Sequence, residues 1–251
     1  MAYRVTFALD TSDPRDRALH EQQFGVMLDM LTQIDALYLR THPEVPRIDQ
    51  LLESGRVRQV PAPPGQEEWQ DIPTTLSLGT GDAEDIACWR AAEALLRSGP
   101  ILVRPVLKQG HPEELRTGRI TLVMDLFNGE RERALSRQAL SVMLDALYRI
   151  DVLYLQRHPE TPALYTTPIR YMEEPIGQEE WQDIPTCLRM GIADCEDLAC
   201  WRAAELTVKQ NVPARAIHNE HRRPNGSYLY HILTRYPNGR LEDPSLIKGM
   251  R

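Results

Sequence analysis

The chain has 251 residues, 42% of them hydrophobic, and a formal charge of −7, which is enough for one large domain or two ordinary ones. A net negative chain without clustered Lys and Arg argues against a nucleic-acid or anionic-membrane surface, and the run His221-Arg222-Arg223 is too short to reverse that. The first residues have no basic-then-apolar leader pattern, and no apolar run approaches the roughly 20 residues that cross a bilayer, so a soluble protein made in the cytoplasm is expected.

The first element, RVTFALD from Arg4, alternates branched and polar residues and reads as a strand. From Val26, VMLDMLTQIDALYLRTHPEVP sets Met, Leu and Ile at helical spacing. That helix should stop near His42-Pro43, because the residue before a proline is pushed out of the helical region. A proline-rich connection, VPAPPGQEEWQDIP, leads to the helix in GDAEDIACWRAAE, Gly81 to Glu93. ILVRPVLKQG then reads as one further strand, and HPEELRTG follows it.

The order then repeats. RITLVMD from Arg119 matches the first strand, and VMLDALYRIDVLYLQRHPETP from Val142 matches the helix, with its stop at His158-Pro159. GQEEWQDIP occurs unchanged at Gly65 to Pro73 and at Gly177 to Pro185, and ADCEDLACWRAAE, Ala193 to Glu205, matches the second helix. Matching blocks in one order mark a duplicated domain, with copies over 1–115 and 116–251. Only the second copy goes on through ARAIHNE and YLYHILTRY, two strands flanking Pro224-Asn225-Gly226, and then through Pro237-Asn238-Gly239 to RLEDP. The first copy is truncated and lacks this hairpin.

The copies differ most sharply where Cys195 replaces Ala83. Asp194 stands at an N-cap position with Asp197 three residues on, so Cys195 falls in the first helical turn. Unpaired N–H groups there favour a thiolate, while Glu196 and Asp197 oppose it, so a cationic histidine nearby would be needed to ionise the sulfur. Cys88 and Cys200 occupy one place in the two copies, and Cys187 matches Thr75, so these three read as buried packing. All four cysteines are expected to be free thiols.

GIADCEDLACWRAAEL followed by YLYHILTRYPNGRLEDPS resembles the transglutaminase-like cysteine proteases, a branch of the papain-like fold. The lead-in WQDIPTCLRMGIADCED is similar to that of the bacterial transglutaminase-like cysteine proteinases, and CWRAAEL with EDPS-x-x-x-GM is similar to proteins encoded among tailed-phage structural genes. The resemblance covers the chain from about Tyr171 onward, and departs from the pattern at Ala193, where a glycine is usual. It implies an α+β fold of tandem transglutaminase-like domains, the first one degenerate. It also implies a triad of Cys195 as nucleophile, His231 as base and Asp243 as the group that orients the imidazole. Alternation of YLYHILTRY puts His231 on one face with Leu229 and Leu233.

The backbone N–H of Cys195 and, less directly, Trp181 and Gln182 are oxyanion candidates, although Trp69 and Gln70 repeat the latter pair where no cysteine stands. Calcium is the one cofactor the resemblance admits, through Asp194, Glu196 and Asp197, yet helix capping accounts for the same residues and Asp82, Glu84 and Asp85 repeat them. His218 and His221 have zinc-like spacing without a second ligand pair. Three readings remain: a hydrolase of protein or peptide amides, an acyltransferase resolving the same thioester with an amine, or a non-catalytic structural or assembly protein of a phage virion, located in the cytoplasm or on the virion.

Overall fold

The computed structural model describes residues 3–62, 67–98, 105, 118–124, 130–175, 179–222 and 228–250. The strand expected over ILVRPVLKQG, the segment HPEELRTG and the turn Pro224-Asn225-Gly226 lie outside these residues, apart from Pro105 and Gly118. The fold is mixed α+β, as expected, and divides into two compact units, Met1–Phe7 with His20–Val142, and Ala8–Leu19 with Met143–Arg251.

In the first unit the elements run β1 (Tyr3–Ala8), α1 (Arg17–Thr41), α2 (Ile48–Glu53), β2 (Arg58–Gln59), β3 (Glu67–Gln70), α3 (Ile72–Leu78), β4 (Thr80–Gly81), α4 (Ala83–Ser98) and β5 (Arg119–Met124), then the start of α5 (Glu130–Arg157). β5 pairs in parallel with β3, from Glu67↔Ile120 to Gln70↔Val123, and lies between β3 and β1. α1 ends at Thr41, one residue before His42-Pro43. A cluster of Ile48, Leu51, Val57, Ile72, Ile86 and Trp89 is 2% exposed or less and holds α2, α3 and α4 together, each such side chain contributing about 2 kcal/mol by burial.

The second unit carries the remainder of α5, then β6 (Arg170–Tyr171), β7 (Glu179–Gln182), α6 (Ile184–Met190), β8 (Ile192–Ala193), α7 (Cys195–Gln210), β9 (Arg215–Arg222), β10 (Tyr228–Arg235), β11 (Leu241–Glu242) and α8 (Pro244–Ile247). β10 is the centre of a three-stranded sheet, antiparallel to β9 in unbroken register from Tyr228↔Arg222 to Arg235↔Arg215. β11 pairs with its end through Thr234↔Glu242. α7 packs on this hairpin, and Thr234 Oγ1 donates to the Ala199 carbonyl at 3.1 Å.

The repeated words fold alike because they place the same polar atoms in the interior. Asp71 and Asp183 cap α3 and α6 by accepting Thr74 and Thr186 N–H, each at 3.0 Å. Both helices end at a left-handed glycine, Gly79 with φ 67° and Gly191 with φ 72°, a conformation that carries a steric penalty for other residues. Glu93 accepts Ile48 N–H at 2.7 Å, as Glu205 accepts Leu164 N–H at 2.9 Å. Asp35 and Asp151 take Ile72 and Ile184 N–H in the same way.

The compact units cut the chain differently from the sequence repeats 1–115 and 116–251. The opening strand of the second repeat, β5, belongs to the first unit, where Asp71 N–H and Thr74 Oγ1 donate to the Val123 carbonyl at 3.3 and 3.1 Å. The segment Ala8–Leu19 of the first repeat belongs to the second unit. There Asp183 N–H donates to the Ala8 carbonyl at 3.2 Å, Asp183 Oδ2 accepts Asp10 N–H at 3.0 Å, and Asp16 holds His158 at 2.8 Å. Ala8 and Val123 are equivalent positions of RVTFALD and RITLVMD. At this pair of equivalent positions each repeat receives the N–H of the other's helix-capping aspartate, while Tyr3–Phe7 of β1 stays in the first unit with β5.

Among the described residues no helix is long and apolar enough to cross a membrane. Asp183→Ala removes both the α6 cap and the bond to Asp10, and a loss of about 2 kcal/mol in urea unfolding is expected, about 1 for the cap and about 1 for the hydrogen bond. An unchanged midpoint would show that the segment Ala8–Leu19 is not held through Asp183.

Candidate active site

Cys195 is the first residue of α7, and the capping box expected from sequence forms around it. Asp197 Oδ2 accepts Asp194 N–H at 3.2 Å and the Asp194 side chain receives the Asp197 N–H. Cys195 is partly exposed, whereas Cys88, Cys187 and Cys200 are buried and all four are free thiols. Cys88 and Cys200 even share a bond, each thiol donating to a carbonyl of the preceding long helix, Leu28 at 3.6 Å and Leu144 at 3.5 Å.

The backbone N–H of Ile232, the residue after His231 on β10, lies on the Cys195 side of the strand and favours its thiolate. His231 Nε2 lies 2.7 Å from Asp243 Oδ2. Asp243 is itself fixed, because its Oδ1 accepts Ser245 N–H at 3.1 Å and Leu246 N–H at 3.3 Å at the start of α8. A carboxylate facing Nε2 keeps a proton on that nitrogen and leaves Nδ1 as the basic one. His231 and Asp243 are 18% and 19% exposed, open enough for a substrate yet shielded from bulk water. The structure thus sets His231, in the middle of β10, against Asp243, just after β11, and packs α7, which Cys195 opens, on β10.

Local electrostatics oppose the thiolate. Burial pushes the Cys195 thiol far above its ordinary value, and the charges of Glu196 and Asp194 push it further. The thiol donates to Glu196 Oε2 at 3.2 Å. The helix end therefore loses to burial and acidic neighbours, and the resting group is a thiol. Asp194 is also pushed well up, by burial first and then by Glu196 and Asp197. Glu196 is raised too, by burial first, so the two neighbouring carboxyls favour holding a proton between them.

The remaining sequence candidates separate clearly. Gln182 N–H is committed to Asp197 Oδ1 at 2.7 Å, as Gln70 N–H is to Asp85 at 2.7 Å, so this donor is structural in both repeats. Trp181 and Trp69 are each 2% exposed, again alike. The N–H of Cys195, in the first turn of α7, stays an oxyanion candidate beside the side-chain amide of Gln182, whose Oε1 has no hydrogen-bond partner among the described residues. His218 packs edge-on to Tyr230 at 6.3 Å, and the side chain of His221 lies outside the described residues.

Of the calcium candidates, Asp197 does not fit, because both of its oxygens accept backbone N–H groups. Asp194 Oδ1 and Glu196 Oε1 are buried without a fixed donor, and a shared proton or a cation satisfies such a pair. Glu196 also joins Glu174 and Glu179, with one ligand atom of each within 4.8 Å of the others, a grouping not anticipated from sequence. Its signal was available in the comparison of repeats: Glu174 stands where the first copy has Ala62, and Tyr171, whose hydroxyl is pushed up mainly by burial, stands where it has Gln59.

No protein-family profile, curated protein or solved structure matches the chain.

Glu196→Gln removes the nearest negative charge while keeping an acceptor for the thiol, so alkylation of Cys195 by iodoacetamide at pH 8 should rise by about tenfold, in line with one pKa unit of relief. No change would mean that burial alone holds the thiol.

The interior acids also set a pH dependence. Burial pushes Glu174 up to about 8, Asp85 up to about 7 and Asp183 up to about 6. The folded chain then binds protons that the unfolded chain has released, so stability falls as pH rises from about 4 to about 8. The melting temperature should decline over that window and Glu174→Gln should flatten its upper part. A melting temperature that climbs between pH 5 and 8 would contradict this balance.

Proposed function

We propose that the chain is a transglutaminase-like cysteine hydrolase of the papain-like fold, acting on protein or peptide amides, with the first repeat a degenerate copy that keeps the fold without the chemistry. What carries the reading is the His231 Nε2 to Asp243 Oδ2 bond of 2.7 Å on a strand that packs against the helix opened by Cys195. Nucleophile, base and orienting carboxylate in this order are the parts acyl transfer needs.

With the cysteine resting as a thiol, the reaction begins by general-base catalysis rather than from a preformed ion pair. Cys195 turns from Glu196, His231 Nδ1 takes the thiol proton, and the sulfur bonds to the substrate carbonyl carbon. The N–H of Cys195 faces the oxyanion. Collapse expels the amine, which takes the proton from His231, and leaves a thioester. Water, deprotonated by the same Nδ1, then releases the acid. Asp243 holds the ring through Nε2 during both halves, so the imidazolium formed each time is stabilised without rotation. A bound calcium ion at Glu174, Glu179 and Glu196 would supply local positive charge next to the thiol.

A second reading, a non-catalytic assembly protein of a phage virion, is favoured by one observation, the thiol held by Glu196 in an acidic surrounding. Acyl transfer to an amine differs from hydrolysis only in what resolves the thioester.

Reaction with p-nitrophenyl acetate, followed by mass spectrometry, separates these. An acetyl thioester is expected on Cys195 and not on Cys88, Cys187 or Cys200, with its formation slowed about 100-fold or more in His231→Ala, the size of a lost general base. Labelling of Cys195 no faster than the other thiols would favour the assembly reading. Product analysis with an added amine then distinguishes hydrolysis from transfer.

A further inference from the structure

Glu242 precedes the orienting Asp243 and is the meeting point of four side chains. Its Oε1 accepts from Arg202 Nε at 2.6 Å and from the Tyr165 hydroxyl at 2.5 Å, and its Oε2 accepts from the Tyr236 hydroxyl at 2.5 Å and from Arg240 at 3.4 Å. The side chains of Arg202 and Glu242 are 12% and 15% exposed, so this is an ion pair largely removed from water. Arg202 also donates to Glu205 at 3.2 Å and to Tyr236 at 3.3 Å, and its guanidinium lies 4.8 Å from the Tyr165 ring centroid.

The partners come from the elements that must stay in register for the triad. Arg202 is on α7, two turns beyond Cys195. Tyr236 directly follows β10, which carries His231, and Glu242 is on β11, next to Asp243. In the first repeat the equivalent Arg90 instead pairs with Asp49 at the surface, their side chains 55% and 47% exposed. Burial alone would push Glu242 up, but the hydrogen bonds from Tyr165, Tyr236 and Arg202 outweigh it and hold the carboxyl below its ordinary value, so it stays charged. With Nε on Glu242 and the other two nitrogens on Glu205 and Tyr236, the planar guanidinium fixes direction as well as distance.

We propose that Glu242 is a positioning residue that locks the strand carrying Asp243 to the helix carrying Cys195, so that the His231 imidazole is delivered to the sulfur in reacting geometry. The proposal rests on the hydrolase reading above. It treats the ion pair as part of the working site, where an error of about 1 Å is enough to cost 100-fold in rate.

The test pairs a rate with a spectroscopic signature. In Glu242→Gln, acetylation of Cys195 should fall by about ten- to 100-fold, and the downfield proton resonance of the His231 Nε2–H, assigned by its loss in His231→Ala, should broaden or vanish. Arg202→Lys should lie between the variant and the unaltered protein, while Arg240→Ala, which touches Glu242 only from the exposed side, should change the rate less than about twofold. If Glu242→Gln does not fold, Tyr236→Phe removes one charge-assisted bond to the same carboxylate and should shift the resonance with an about tenfold loss of rate. A folded Glu242→Gln with unchanged resonance and rate overturns the proposal. If the unaltered protein is never acetylated at Cys195, the hydrolase reading fails by itself, and the resonance alone then decides whether Glu242 positions Asp243.

Discussion

The site depends on the Asp197 carboxylate. One of its oxygens accepts Gln182 N–H at the end of β7 and the other accepts Asp194 N–H at the mouth of α7, so a strand end and a helix start are pinned to a single buried group. Burial pushes the Asp197 carboxyl well above its ordinary value, and the nearby Glu196 charge adds to this. The two backbone hydrogen bonds work in the opposite direction. Asp85 does the same in the first repeat. With that joint made, Cys195 begins a helix whose direction is fixed, and the β9–β10 hairpin has a defined surface to cover.

Duplication makes the chain its own control. Atoms that recur, such as Asp35 with Asp151, Glu93 with Glu205 and Cys88 with Cys200, hold the fold in a copy that has no sulfur at the helix mouth. Groups present only in the second copy, Cys195, Glu174, His231, Glu242 and Asp243, gather at one end of α7 or brace it. Ala8, Asp10 and Asp16 make hydrogen bonds to Asp183 and His158, which gives the first repeat a material part in the second unit.

Local signals made much of this legible in the sequence. His42-Pro43 and His158-Pro159 ended their helices, Asp194 with Asp197 formed the capping box, and the Pro237-Asn238-Gly239 turn brought β11 back beside β10, with Gly239 at φ 84°. The crossing of Ala8–Leu19 and β5 into the other copy's unit was not legible, because RVTFALD and RITLVMD are interchangeable as strands and only tertiary pairing decides which copy each one joins. The protonation state of the cysteine was not legible either. Sequence displays the helix end and the acidic neighbours but not the depth of burial, which here adds to the neighbours and is the largest influence on the thiol. Glu242 reads as a turn residue in RLEDP until Arg202, Tyr165 and Tyr236 are seen to converge on it.

The central claim is that Cys195, His231 and Asp243 act as one unit. Acetylation rates of Cys195 in His231→Ala, Asp243→Ala and the double variant test it most directly. Groups that work only together are non-additive, so the double variant should be no more than about threefold slower than His231→Ala alone. Losses that multiply across the two sites would mean that they act independently and would contradict the triad.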